Sequence, residues 1–210
     1  GSIMNYSALT TNIKNFIEDD STEFSDSIDA IIDQAEEMIF QRLPNLPCFR
    51  SNSTGTLVAG TADYTISSSR MIRQVSITVS SNVKFLDHRI DSYLRDYAPN
   101  PSTQGEPLFY STKSASTSGT TITFGPTPDS AYSYQVDIIN PATGLSSGTT
   151  TSWLGDNAEN VLLSACLYEA SGFLKAPETV TLYKAQFDEA IQFMQQEMLR
   201  DWASEYNGGI

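Results

Sequence analysis

The sequence predicts an α+β chain: a helical bundle built from an N-terminal and a C-terminal helical hairpin, with an antiparallel β module inserted between them. Three observations predict it. Apolar residues recur every three or four positions at both ends of the chain, while between about residues 56 and 139 they alternate with a period of two. Proline and glycine punctuate the middle at short intervals, as an antiparallel sheet or sandwich requires. A polar stretch with Pro141, Gly144 and Gly148 marks the return to helix. The expected organisation is a hairpin over 4–48, a β module over 54–141, a second hairpin over 153–206 and a tail over 207–210.

The first helix is expected over 5–18, with Ser7 as N-cap and Leu9, Ile13, Phe16 and Ile17 as its stripe. Glu18-Asp19-Asp20 should end it, because carboxylates oppose the dipole at a helix C-terminus. Ser25 and Asp26 open the second helix. Its apolar face is Ile28, Ile31, Ile32, Ala35, Ile39 and Leu43, and Pro44 and Pro47 stop it. Short polar connections predict antiparallel neighbours within each hairpin.

The expected strands are Thr56–Ala59, Tyr64–Ile66, Met71–Ser80, Val83–Leu86, Pro107–Thr112, Thr121–Phe124 and Tyr132–Ile139. Ile90–Tyr97 reads as a short helix or turn. In the C-terminal part Asp156 and Glu159 form a capping-box-like pair ahead of Leu162, Ala165, Cys166, Glu169 and Phe173. Trp153 is expected to anchor the seam where the chain re-enters the bundle. The last helix should run from about Glu178 to Glu205, roughly 42 Å at 1.5 Å per residue. Tyr183, Phe187, Ala190, Ile191, Met194, Met198 and Trp202 step along one of its faces, and Gly208-Gly209 ends it.

The 210 residues carry a formal net charge of −13. That balance argues against a general nucleic-acid binder, which needs cations to displace counterions. It leaves room for a surface that DNA slides past, where like charges would keep the polymer from sticking, but the plainer reading of the charge is solubility. No apolar run approaches the ~20 residues of a membrane span, and residues 1–20 lack the basic and apolar regions of a signal peptide. Gly1-Ser2-Ile3 ahead of Met4 reads as an added leader, with the natural start expected at Met4.

No catalytic signature is present: no HExxH, Walker loop, GxGxxG or GxSxG. His88 is the only histidine, and its neighbours Asp87 and Asp91, with Ser80 or Ser92, are pairings expected by chance in a chain this rich in Ser and Asp. Asp19, Asp20, Glu23 and Asp26 lack the EF-hand spacing and its glycine. Cys48 and Cys166 lack any metal-ligand spacing, and Cys166 is expected as a buried small hydrophobe. No catalytic residue, metal site or cofactor is therefore expected, and the chain is not expected to be an enzyme. Tyr64, Tyr93, Tyr97, Phe109, Tyr110, Tyr132 and Tyr134 leave a second reading, a carbohydrate-binding or adhesin-like β module with helical support.

Several short elements, taken in order, carry a resemblance. They are Met4-Asn5-Tyr6-Ser7-Ala8-Leu9, the helix Ala30 to Leu43, Gly105-Glu106-Pro107-Leu108-Phe109-Tyr110, and Phe124-Gly125-Pro126-Thr127-Pro128-Asp129 before Tyr132. Thr151-Ser152-Trp153-Leu154 and Val161 through Lys175 follow. Together they resemble the head–tail adaptor proteins of tailed bacteriophages, in particular the tail tubular protein A and connector group of short-tailed phages. Ser147-Gly148-Thr149 departs from the Asn-rich turn common there, and the strand region is unusually rich in Ser and Thr.

The resemblance implies a structural virion protein at the head–tail junction, made in the host cytoplasm. It implies a homo-oligomeric ring of about twelve copies that joins the portal protein to the tail nozzle or tail tubular protein, with a tail fibre as a further partner. DNA passes through its lumen without sequence-specific binding during genome retention and ejection. On this reading Trp202, Asn207, Gly208, Gly209 and Ile210 are expected at the portal, and Tyr183, Phe187, Met194 and Met198 between subunits.

Overall fold

In the computed structural model, residues 4–174 and 177–207 are described, with backbone alone over 201–207. The chain forms two compact units, one of residues up to Cys48 together with Pro141 onward, the other of Phe49–Asn140. The first is helical and the second is built on sheets, so the α+β bundle with an inserted β module is the observed fold.

The helical unit contains α1 (Tyr6–Ile17), α2 (Thr22–Arg42), a short α4 (Trp153–Asn157), α5 (Glu159–Phe173) and α6 (Pro177–Asn207). Its helix starts differ from the expected ones. Asn5, not Ser7, caps α1 by accepting the Ala8 N–H at 2.9 Å. Ser21 caps α2 through the Phe24 N–H, so α2 begins one turn before Ser25 and buries Phe24 too. Ser152 caps α4 through the Gly155 N–H, and a break at Ala158 precedes α5, so Asp156 lies inside a helix instead of capping one. Glu18 ends α1 in a left-handed conformation, φ 57°.

The central helix is α5. It packs against α1, α2 and α6. The first two helices thus meet mainly through α5 and not as the tight pair expected from their short connection. The reason lies in apolar surface: Leu162, Ala165 and Cys166 are fully buried, and α5 has apolar residues on more than one side, so three helices can share it. The expected α2 face, Ile28 through Leu43, is buried, whereas Phe16 of α1 stays open. The seam between the N-terminus and the returning chain is held by main-chain bonds, Met4 N–H to Gly155 C=O at 3.1 Å and Tyr6 N–H to Thr150 C=O at 2.9 Å. Leu154 and Gly155 are buried there and Trp153 only half so.

The β unit is a sandwich. One sheet has the order β1 (Arg50–Thr56), β10 (Ser133–Ile139), β3 (Met71–Val79) and β4 (Asn82–Phe85), all antiparallel. The other runs β2 (Asp63–Ser67), β8 (Gly119–Gly125), β7 (Phe109–Ser116) and β5 (Asp87–His88). Val75, Ile77, Val136 and Ile138 from the first meet Ile66, Tyr110, Ile122 and Phe124 from the second in one buried core. Helix α3 (Asp91–Tyr97) lies on β7 and β8.

Three features were not expected. β1 occupies 50–56, where no apolar alternation exists, in place of 56–59. Pairing with β10 holds it, and the Tyr134 ring covers Gly55, where an added Cβ would meet the phenol oxygen at 2.5 Å. The pair β5–β7 is parallel, and so is a small extra pair, β6 (Gln104–Gly105) with β9 (Thr127–Pro128).

Candidate assembly surfaces

Charge separates cleanly between the units. The β unit holds seven Lys/Arg and seven Asp/Glu, and the helical unit five against eighteen, so the whole net charge of −13 belongs to the helices. On α2 the acids stand opposite the buried isoleucines, at Asp26, Asp29, Asp33 and Glu37.

One acid of α2 faces inward. Glu36 accepts the Leu145 N–H at 3.3 Å. Burial, with Asp33 adding repulsion, pushes its carboxyl pKa up to about 7 despite that bond. Leu145 is fully buried, and a Cβ on Gly144 would come within 2.5 Å of Glu36 Oε2, so the returning segment lies closely on α2. Both cysteines are free. Burial raises the thiol pKa of half-buried Cys48 to about 11 and that of buried Cys166 well above the ordinary value.

On α6 the side chains expected between subunits divide. Tyr183 and Phe187 are 8% and 3% exposed, covered by the chain's own helices. Phe187 stacks on Tyr168 with centroids 6.4 Å apart, and the Arg42 guanidinium lies over the Phe187 ring at 5.7 Å while binding Asp188 at 2.9 Å. Met194 and Met198 are half-buried, and the large apolar side chains left open on this helix are Leu182, Phe193 and Leu199. The spacing signal could not separate these groups, because a helix face shows which residues lie together and not what covers them. Of the expected portal residues, the side chains of Trp202 and Asn207 and the whole of Gly208, Gly209 and Ile210 lie outside the described residues.

In the β unit most of the aromatic residues pack against one another, and Tyr93 and Tyr97 keep open surface, 41% and 50% exposed. Tyr64, Phe124 and Tyr134 interlock with centroids 5.4–6.1 Å apart, and Tyr93 and Tyr97 enclose Phe109 edge-on. His88 stands against Tyr110, with neither Ser80 nor Ser92 hydrogen-bonded to it. A cleft of about 370 Å³ between α3 and the start of β2 is lined by Asp63, Asp91, Arg95 and Lys113. Lys113 binds Asp63 at 2.6 Å and Thr123 donates to the same carboxyl, which together hold its pKa down against burial. No group of acids, histidine and cysteines among the described residues is arranged to hold a metal ion. Among the described residues no helix is long and apolar enough to cross a membrane.

A helical bundle ordered around α5 and carrying the chain's net negative charge, with an inserted β sandwich of zero net charge, defines the class of architecture. The chain belongs to the SU10 adaptor protein family, whose model matches residues 4–208. No curated protein matches it. Membership makes it a bacteriophage structural protein of the adaptor type, with a place in the virion at the head–tail junction and portal and tail proteins as its neighbours.

Proposed function

We propose that this chain is a head–tail adaptor that assembles as a closed ring of about twelve copies, joins the portal to the tail and continues the DNA channel. The observation that carries the reading is family membership across residues 4–208, combined with the confinement of net charge to the helical unit. An acidic helical wall lets DNA slide without sticking, because the backbone phosphates find few cations. The neutral β unit then carries the contacts to the tail nozzle or fibre. Exposed Leu182, Phe193 and Leu199, with half-buried Met194 and Met198, support neighbour contacts along α6. Tyr183 and Phe187 serve those contacts by fixing α6 on α5. The segment Asn207–Ile210, with Trp202, is assigned to the portal, where two glycines allow an extended fit. Assembly takes place in the host cytoplasm.

The test is to mix the purified protein with its portal and record image symmetry and mass. A portal-bound ring supports the reading. Turnover of a small molecule, or no association with the portal in either free or capsid-borne form, overturns it. Deleting Asn207–Ile210 tests the tail separately, and undiminished attachment removes that assignment alone.

A further inference from the structure

We propose that the cleft between α2, α5 and α6 receives the acidic turn between α1 and α2 of a second copy of this chain. The proposal rests on the adaptor reading only for the ring in which that contact repeats. Both matching surfaces belong to the chain itself.

The cleft, about 220 Å³, lies within the helical unit. Met38 and the stacked rings of Tyr168 and Phe187 supply its apolar surface, and Arg42, Lys184 and Asp188 supply its charges. Those three sum to one positive charge, in a unit whose five Lys/Arg stand against eighteen Asp/Glu. Two of the five cations thus converge on one recess from helices at opposite ends of the chain. Arg42 uses one nitrogen on Asp188 at 2.9 Å, and its guanidinium keeps further N–H donors. Lys184 is exposed and has no ion pair or hydrogen bond among the described residues.

The matching acids stand at the other end of α2. Glu18, Asp20, Glu23 and Asp26 are exposed, and their carboxylates likewise have no ion pair or hydrogen bond among the described residues. The 21 residues of α2 hold this turn roughly 30 Å from Arg42, at 1.5 Å per residue, so it cannot enter its own chain's cleft. It can enter a neighbour's. There a carboxylate meets the Lys184 ammonium and the remaining donors of Arg42.

DNA suits the recess poorly, because a phosphate polymer drawn to one surplus cation also meets the acids of the whole unit. A two-fold pair with antiparallel α2 helices would set Asp29 and Asp33 of each copy against those of the other. Head-to-tail contact between unlike surfaces avoids this, and contacts of that type close into rings when the rotation permits. Helical units of net charge −13 repel one another, and a local match of opposite charges lets them stand side by side.

The experiment mixes the full chain with its portal and reads assembly by mass across a range of protein concentrations. Lys184→Glu is expected to melt within a few degrees of the parent and to need roughly tenfold more protein for half-assembly. Asp20→Lys with Asp26→Lys is expected to do the same. Combining all three exchanges the charges at every contact, and assembly should return to within about threefold of the parent. Salt at about 1 M should close the gap between parent and variants. A photo-crosslinker in place of Gln41, which lines the cleft, should capture residues 18–26 of a second copy. Should the charge variants fail to fold, that crosslink decides the matter. Assembly of Lys184→Glu within about twofold of the parent, or a triple variant no better than the single one, overturns the proposal. So does capture of the portal, a tail protein or another part of a second copy. A parent that binds no portal, while the crosslink to residues 18–26 still forms, refutes the adaptor reading and leaves this contact standing.

Discussion

Glu36 of α2 takes the backbone N–H of Leu145 at 3.3 Å, and so ties the segment returning from the β unit to the acidic helix. The carboxyl is partly desolvated and its pKa stands at about 7, above the ordinary 4.5. A raised folded-state value means the fold favours the protonated acid. The stabilisation is complete below about pH 4.5 and is lost as the pH rises toward 7. Glu36→Gln keeps an acceptor for Leu145 and removes the charge. At pH 8 it should stabilise the helical unit by about 1–2 kcal/mol, allowing for water that reaches the group, and at pH 5 by much less. Thermal unfolding at both pH values checks this, and an equal effect at the two would refute it.

Two glycines predict opposite outcomes for the same substitution. A Cβ on Gly155 would lie 2.1 Å from the Met4 carbonyl oxygen, a backbone atom fixed by the seam. Gly155→Ala should cost about 2–4 kcal/mol and free the N-terminal segment, read as a lower melting temperature and faster proteolysis near Met4. At Gly172 in α5 an added methyl meets nothing within 4 Å. Gly172→Ala should stabilise by about 0.5–1 kcal/mol, because alanine loses less backbone freedom in a helix.

The thiols should be silent in the folded protein. Burial suppresses the thiolate at Cys48 and more so at Cys166, and the thiolate is the reacting form. A colorimetric thiol reagent at pH 8 should label neither cysteine quickly and both after denaturation. Fast labelling of Cys166 in the native protein would show that the α5 core opens readily.

Phe124 closes the β core, 2% exposed between Tyr64 and Tyr134. Phe124→Ala should cost the β unit about 3–5 kcal/mol through lost contact and a cavity. Circular dichroism should then show loss of the sheet signal at a lower temperature. A melting point unchanged from the parent would mean that the sandwich core does not hold this unit together.

Much of this was legible in the sequence where apolar periodicity is strong. Ile28 through Leu43 and Val75 to Ile77 announce their elements because water excludes those side chains wherever the rest of the chain goes. The caps were misplaced because Ser, Asp and Asn compete locally for the same role, and backbone geometry selects among them. β1 was missed because RSNSTGT has no pattern of its own and is a strand only beside β10.

The sequence by itself determined the class of fold, the acidic balance and the order of helical and β parts, because each follows from local period and composition. Only the tertiary structure decided that α5 is shared by three helices, that all the net charge lies on the helical unit, and that Val83 and Phe85 stand at an open edge. Those are properties of which surfaces remain after packing, and a side chain's period says which way it points without saying whether a neighbour is there to cover it.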